Sequence, residues 1–176
     1  KAIAPGFGGI NLEDIAAPIC FEVEERLKAE LDIPVFHDDQ HGTAVVTLAG
    51  LINAAKITGK KISDMKIVIV GAGAAGVAIA KLLHKYAQPR MFILDSKGII
   101  SKNRTDLNES KRNLLNISNH ANIDGNLEFV LAEGADVFIG VSQKDLLTRE
   151  MVRSMDKNPI IFAMANPSPE ILPDDA

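Results

Sequence analysis

At 176 residues, 47% of them apolar and 24% charged, the chain has the size and balance of one ordinary soluble globular domain with a real core, not of a disordered or fibrous protein. A formal charge of −4 argues against a nucleic-acid binder, which would carry a basic stripe, and the longest apolar run, "AVVTLAGLINAA", is too short for a membrane span and is broken by Thr47 and Asn53. Nothing at the N-terminus reads as a signal peptide. The single Cys20, expected as a small buried thiol on a helix, permits no internal disulfide, so a reducing, cytoplasmic setting is expected.

Taken in chain order, "PICFEVEERLKAEL" predicts an amphipathic helix with its charges on one side. "TAVVTLAGLINAAKITG" predicts a mostly apolar helix, N-capped by Thr43 and ended by Gly59, that must be buried over most of its surface. It is read as crossing between a nucleotide-binding unit and another domain. The domain boundary is expected near Gly59 to Asp64, with residues 1–60 the tail end of an upstream domain plus the connecting helix, and residues 61–176 a dinucleotide-binding unit, incomplete at its C-terminus. From Lys66 the pattern is regular. "KIVIV", "MFILD", "ADVFIGV" and "PIIFAMA" read as buried strands, and helices are expected at "AGVAIAKLLHKYA", "SKRNLLNISN", "NLEFVLAEGA" and "TREMVRSM". Continuous apolar strands alternating with helices imply an α/β fold: a Rossmann-like, doubly wound, mostly parallel sheet.

"KIVIVGAGAAGVAIAKLL" sets Gly71, Gly73 and Gly76 in G-x-G-x-x-G spacing, with Ala72, Ala74 and Ala75 between them. The motif follows a strand and opens a helix, the context its chemistry needs. The first glycine permits the tight turn, the second lets backbone approach a pyrophosphate, and the third packs helix on strand, while the helix N-terminus offers amides and a positive dipole end. A carboxylate is expected about 20 residues on, at the end of the next strand. Asp95 closes "MFILD" there and suits a ribose 2′-hydroxyl, which favours NAD; Ser96 and Lys97 suit a 2′-phosphate, so NADP is the alternative.

Two carboxylate pairs precede this loop, Glu13-Asp14 in "GGINLEDI" and Asp38-Asp39 in "VFHDDQHGTA". Oxygen donors from such turns suit Mg²⁺ or Mn²⁺, although "NLEDI" is equally well read as the acidic first turn of a helix. His37 and His41 are spaced i, i+4 but fall before the helix that Thr43 would cap, so they are read as hydrogen-bonding rather than zinc-binding residues. Asn166, just beyond the fourth strand in "FAMANPSPE", is placed either to face a substrate or to form a turn before Pro167.

These segments, together with "LDSKGI" and in this order, closely resemble the malic enzymes, the oxaloacetate-decarboxylating malate dehydrogenases, of the shorter bacterial type. The resemblance runs over nearly the whole chain and implies roles. Glu13, Asp14 and Asp39 would hold the divalent metal, and Asp38 would partner a catalytic lysine. Gly71, Gly73, Gly76, Asp95 and Ser142 would contact the dinucleotide, and Asn166 the substrate. It also implies oxidative decarboxylation of (S)-malate to pyruvate and CO₂, with a homodimer or larger assembly, and with conversion of malate to lactate as the alternative outcome. A generic, metal-free dehydrogenase does not explain two carboxylate pairs. The family's general-base lysine and general-acid tyrosine lie upstream of "GGINLEDI", and Lys1 does not match that lysine. The chain is therefore expected to be the central segment of a longer enzyme, inactive or nearly so by itself and acting alone as a non-catalytic NAD(P)-binding segment.

Overall fold

The computed structural model describes residues 1–176. Its centre is a five-stranded sheet ordered β5-β4-β3-β6-β7, formed by β3 (Lys66–Val70), β4 (Arg90–Asp95), β5 (Gly98–Ile99), β6 (Val137–Gly140) and β7 (Ile160–Ala163). The strands pair parallel except β4 with β5. The chain runs outward from β3 to β4, then crosses back so that β6 lies on the other side of β3. That reversal opens a crevice beyond the carboxyl ends of β3 and β6, where ligands bind in such sheets.

Alternation along β3 supplies both faces of the sheet. Ile67 and Ile69 join a core of 20 buried residues on one side, and Val68 and Val70 join one of 13 on the other. The first core takes in α3 (Ala74–Ala87) and α4 (Glu109–Leu114), and the second takes in α5 (Leu127–Ala132) and part of the surroundings of α6 (Arg149–Ser154). With each buried aliphatic side chain contributing roughly 1.5–3 kcal/mol, this two-sided burial is the main force holding the unit together. The expected strands and helices are present, the last three helices shorter than the sequence pattern implies, and β5 was not foreseen.

Upstream, β1 (Ile10–Leu12) and β2 (Val35–His37) pair parallel across α1 (Ile19–Glu30). The amphipathic reading of α1 needs one correction: Glu24 turns inward, only 6% exposed, beside the buried Cys20.

Two expectations about α2 (Thr43–Thr58) are overturned. Thr43 does not cap it, because a π-helical turn at Asp38–Gly42 runs straight into α2, and the preceding residue, Gly42, is already helical. His37 therefore ends a strand, while His41 sits within a helical turn. Nor is α2 buried over most of its surface. Ala44, Thr47, Leu51 and Ala55 pack inward toward α3 and the sheet, but Val45, Val46 and Ile57 remain exposed. Its C-terminus is as expected: Gly59 adopts φ +69°, a left-handed cap that costs glycine little. Lys60 then bonds Asp136 at 2.6 Å and Asp156 at 3.2 Å, fastening the end of α2 to the amino-terminal edge of the sheet.

Candidate functional site

The three glycines after β3 do different work. Gly71 has φ +117°, and a Cβ there would lie 2.6 Å from the Val141 carbonyl oxygen. A Cβ on Gly76 would lie 1.7 Å from the Gly71 carbonyl oxygen, so the start of α3 rests directly on the turn. Gly73 has nothing within 4 Å and no side-chain cap covers the first amides of α3. The open face is thus the one from which a phosphate reaches those donors.

Asp95, at the carboxyl end of β4, is far from bare. Arg104 grips it with Nη1 on Oδ1 at 2.8 Å and Nη2 on Oδ2 at 3.0 Å, Lys111 Nζ donates to Oδ2 at 2.6 Å, and the Lys97 amide donates to Oδ1 at 2.9 Å. Burial alone would raise its carboxyl, but the bonds from Arg104 and Lys111 prevail and hold it down at about 2. Arg104 and Lys111 escaped the sequence reading. Arg104 lies in a polar loop and Lys111 on the first turn of α4, and nothing local marks which basic residue folds back onto β4. Lys97 points its ammonium instead at Asp106, at 2.8 Å.

A cleft of about 450 Å³ links Gly71, Gly73, Asp95, Ser96, Lys111 and Ser142. Beside it a second cleft, of about 490 Å³, brings together Asp14, Asp39, Ala74, Ala75, Ser142 and Asn166. Ala17, Val141 and Ser142 line both, so the two form one continuous groove walled partly by the upstream segment. Ser142 is itself held from behind. Its amide donates to Glu170 Oε1 at 3.2 Å, and the Ala165 amide donates to Oε2 of the same fully buried carboxylate at 3.1 Å.

Around the second cleft, the Asp14 amide donates to Asp39 Oδ2 at 2.9 Å, with Asp14 in the left-handed region at φ 57°. His37 Nε2 lies 3.3 Å from the same oxygen. Behind them, Glu24 accepts from Lys28 at 2.6 Å, from His41 Nε2 at 2.7 Å and from Gln40 at 3.2 Å. Burial would raise the Glu24 carboxyl, but Lys28 and His41 bring it below its ordinary range. Both histidines make polar contacts with protein side chains.

As a setting for a divalent cation, Asp14 and Asp39 offer hard carboxylate oxygens on one cleft, which fits Mg²⁺ or Mn²⁺. Glu13 is exposed on the same loop without lining that cleft, and no group of three acidic, His or Cys side chains is drawn together closely enough to hold an ion. Asp38 is also exposed, its carboxylate packed against the backbone of Gly42.

A glycine turn at a sheet crossover, opening a helix toward a clamped carboxylate, defines a dinucleotide-binding α/β protein. Residues 40–175 match the family model described as "Malic enzyme, NAD binding domain", and the chain belongs to the malic enzyme family. It is 58% identical to the bifunctional malic/malolactic enzyme of Bacillus subtilis, over 100% of this chain and 43% of that one. It is 51% identical to the NADP-dependent malic enzyme of Rhizobium meliloti, over 99% of this chain and 23% of the relative. The crystal structure of the NAD-dependent malic enzyme from Thermotoga maritima superposes with a TM-score of 0.94 at 49% identity, covering 99% of this chain and 46% of the other. The chain thus spans less than half the length of these relatives.

Proposed function

We propose that the whole protein converts (S)-malate to pyruvate and CO₂ with reduction of NAD⁺ or NADP⁺, in a reaction that depends on Mg²⁺ or Mn²⁺. One observation carries this reading: Asp14, Asp39, Ser142 and Asn166 meet on a cleft that also includes Ala74 and Ala75 at the start of α3. A hydroxy acid in that cleft lies next to the nicotinamide end of a dinucleotide whose pyrophosphate sits on α3. When bound, the cation supplies charge withdrawal from the acid's oxygens, and the nicotinamide accepts hydride.

The residues of this chain do the rest. The free amides of α3 and the turn at Gly71 to Gly73 bind the pyrophosphate, and Asp95 and Ser96 face the ribose, with Lys97 holding Asp95 through its backbone amide. Asp14 and Asp39, with their exposed neighbour Glu13, are the proposed cation ligands. Asn166 orients the substrate, and Asp38 is proposed to set the charge of a lysine that handles the hydroxyl proton. Residues 1–60 are proposed as the end of an upstream domain that closes the groove through Ala17. We read the assembly as a homodimer or larger. No helix is long and apolar enough to cross a membrane, and the proposed site of action is the cytoplasm.

The name of the Bacillus relative favours a second outcome, lactate with no net change in coenzyme. Incubating the whole protein with malate, Mn²⁺ and either coenzyme separates the two. Pyruvate with stoichiometric NADH or NADPH supports oxidative decarboxylation, lactate without coenzyme reduction supports the malolactic reading, and neither product overturns both.

A further inference from the structure

The polar chain behind Asp39 ends in an unpaired donor. His37 is fully buried, and its Nε2 is the one buried side-chain nitrogen or oxygen without a hydrogen-bond partner, although Asp39 Oδ2 lies 3.3 Å away, out of alignment. Which proton that ring carries follows from its neighbours. The carboxylate of Glu24 can only accept, so the Gln40 group 3.2 Å from it is the amide nitrogen. That same nitrogen lies 2.7 Å from His37 Nδ1 and donates its second proton there. With Nδ1 accepting, a neutral His37 carries its proton on Nε2, the atom turned toward Asp39. His37 ends its strand and Gln40 lies in the π-helical turn that follows, so Gln40 folds back over the ring while Asp39, between them, lines the cleft.

We infer that His37 is the positioning residue of Asp39: its Nε2–H is the donor that orients the Asp39 carboxylate, and Gln40 and Glu24 hold it in that tautomer. Asp39 keeps 42% of its side-chain surface exposed, so a small rotation aligns the bond, and doing so removes an unsatisfied buried donor. The Asp14 amide already pins the same oxygen, at 2.9 Å, which leaves Oδ1 as the oxygen free to face a cation. This inference rests on the reading of Asp39 as a cation ligand, and its test keeps the two apart.

In the whole protein labelled with ¹⁵N at histidine, the His37 ring, assigned by its loss in His37→Gln, is expected as the Nε2–H tautomer. A proton on Nδ1 overturns the inference whatever becomes of the cation. Mn²⁺ alone, titrated by electron paramagnetic resonance, is expected to bind about 10- to 100-fold more weakly to His37→Phe, the usual effect of losing an outer hydrogen bond to a ligand. His37→Gln, which restores an N–H near the Nε2 position, is expected to recover most of that loss. NADH binding, unchanged in both variants, reports that the fold is intact. If Asp39→Asn weakens Mn²⁺ while His37→Phe does not, the positioning inference fails alone. If Asp39→Asn leaves Mn²⁺ affinity unaltered, the cation reading fails.

Discussion

Asp95, at the end of β4, and Arg104, nine residues further along the chain, are joined by two parallel hydrogen bonds of 2.8 and 3.0 Å in a largely buried pair. A planar guanidinium facing a carboxylate in this way is both oriented and strongly bound. The folded Asp95 carboxyl is held at about 2, below its ordinary 3.8, by Arg104, Lys111 and the Lys97 amide together, so their joint contribution to stability is present above about pH 3.8 and disappears as pH falls toward 2. That contribution is roughly 2 kcal/mol. In urea unfolding, the stability difference between the native chain and Asp95→Asn is expected to be constant from pH 5 to 7 and to shrink between pH 4 and pH 2.

The same cluster bears on the choice of coenzyme. Asp95 occupies Arg104 and Lys111, and its removal leaves both without that partner beside Ser96, at the place proposed for the ribose. Asp95→Ala is expected to shift the ratio of NADP⁺ to NAD⁺ affinity by roughly tenfold toward NADP⁺, the worth of one charge-assisted bond to a 2′-phosphate. Fluorescence titration with NADPH and NADH measures it, and an unchanged ratio would remove Asp95 from the ribose.

Glu170 ties two loops from beneath the groove. Glu170→Gln keeps the shape but sets an N–H against one of the two backbone amides, at a cost of about 2 kcal/mol, or roughly 4–8 °C in Tm for a domain of this size. Glu170→Ala is expected to cost more, since it leaves both amides unpaired and opens a cavity. In both variants NADH is expected to bind more weakly as Ser142 loosens, read by fluorescence alongside thermal unfolding.

Two glycines give a contrast between strain and collision. Gly59→Ala meets no atom within 4 Å and suffers only its φ of +69°, about 1 kcal/mol, with NADH binding retained. Gly76→Ala drives a methyl group to 1.7 Å from a backbone oxygen that no rotamer change can clear. It is expected to abolish NADH binding, whether or not circular dichroism shows the helices intact.

What the sequence made legible was whatever depends on near neighbours in the chain. The strand "KIVIV", the glycine turn and the carboxylate ending "MFILD" are local patterns, and each lies where its spacing implies. Arg104 and Lys111 were not legible, because their role depends on a loop and the start of α4 returning to β4. Glu170 follows a turn and resembles any exposed glutamate until β6 and the Asn166 loop enclose it. Thr43 was misread for a different reason. Capping rules assume an α-helix that starts abruptly, whereas the π-helical turn supplies helical backbone before it. The exposed Val45, Val46 and Ile57 show the limit of composition, which counts apolar side chains on α2 without saying which of them this fold covers.

Val141 and Ser142 form a wall common to both clefts, standing between the end of the groove proposed for the hydroxy acid and the end proposed for the dinucleotide. A wall of this kind makes two Michaelis constants move as one. Widening one compartment at Val141 reshapes the other, so kinetics measured there would report apparent coupling between acid and coenzyme with no change in conformation behind it. True communication between the two ligands is better sought at residues that belong to one compartment only, Met164 on the acid side and Ser110 on the coenzyme side.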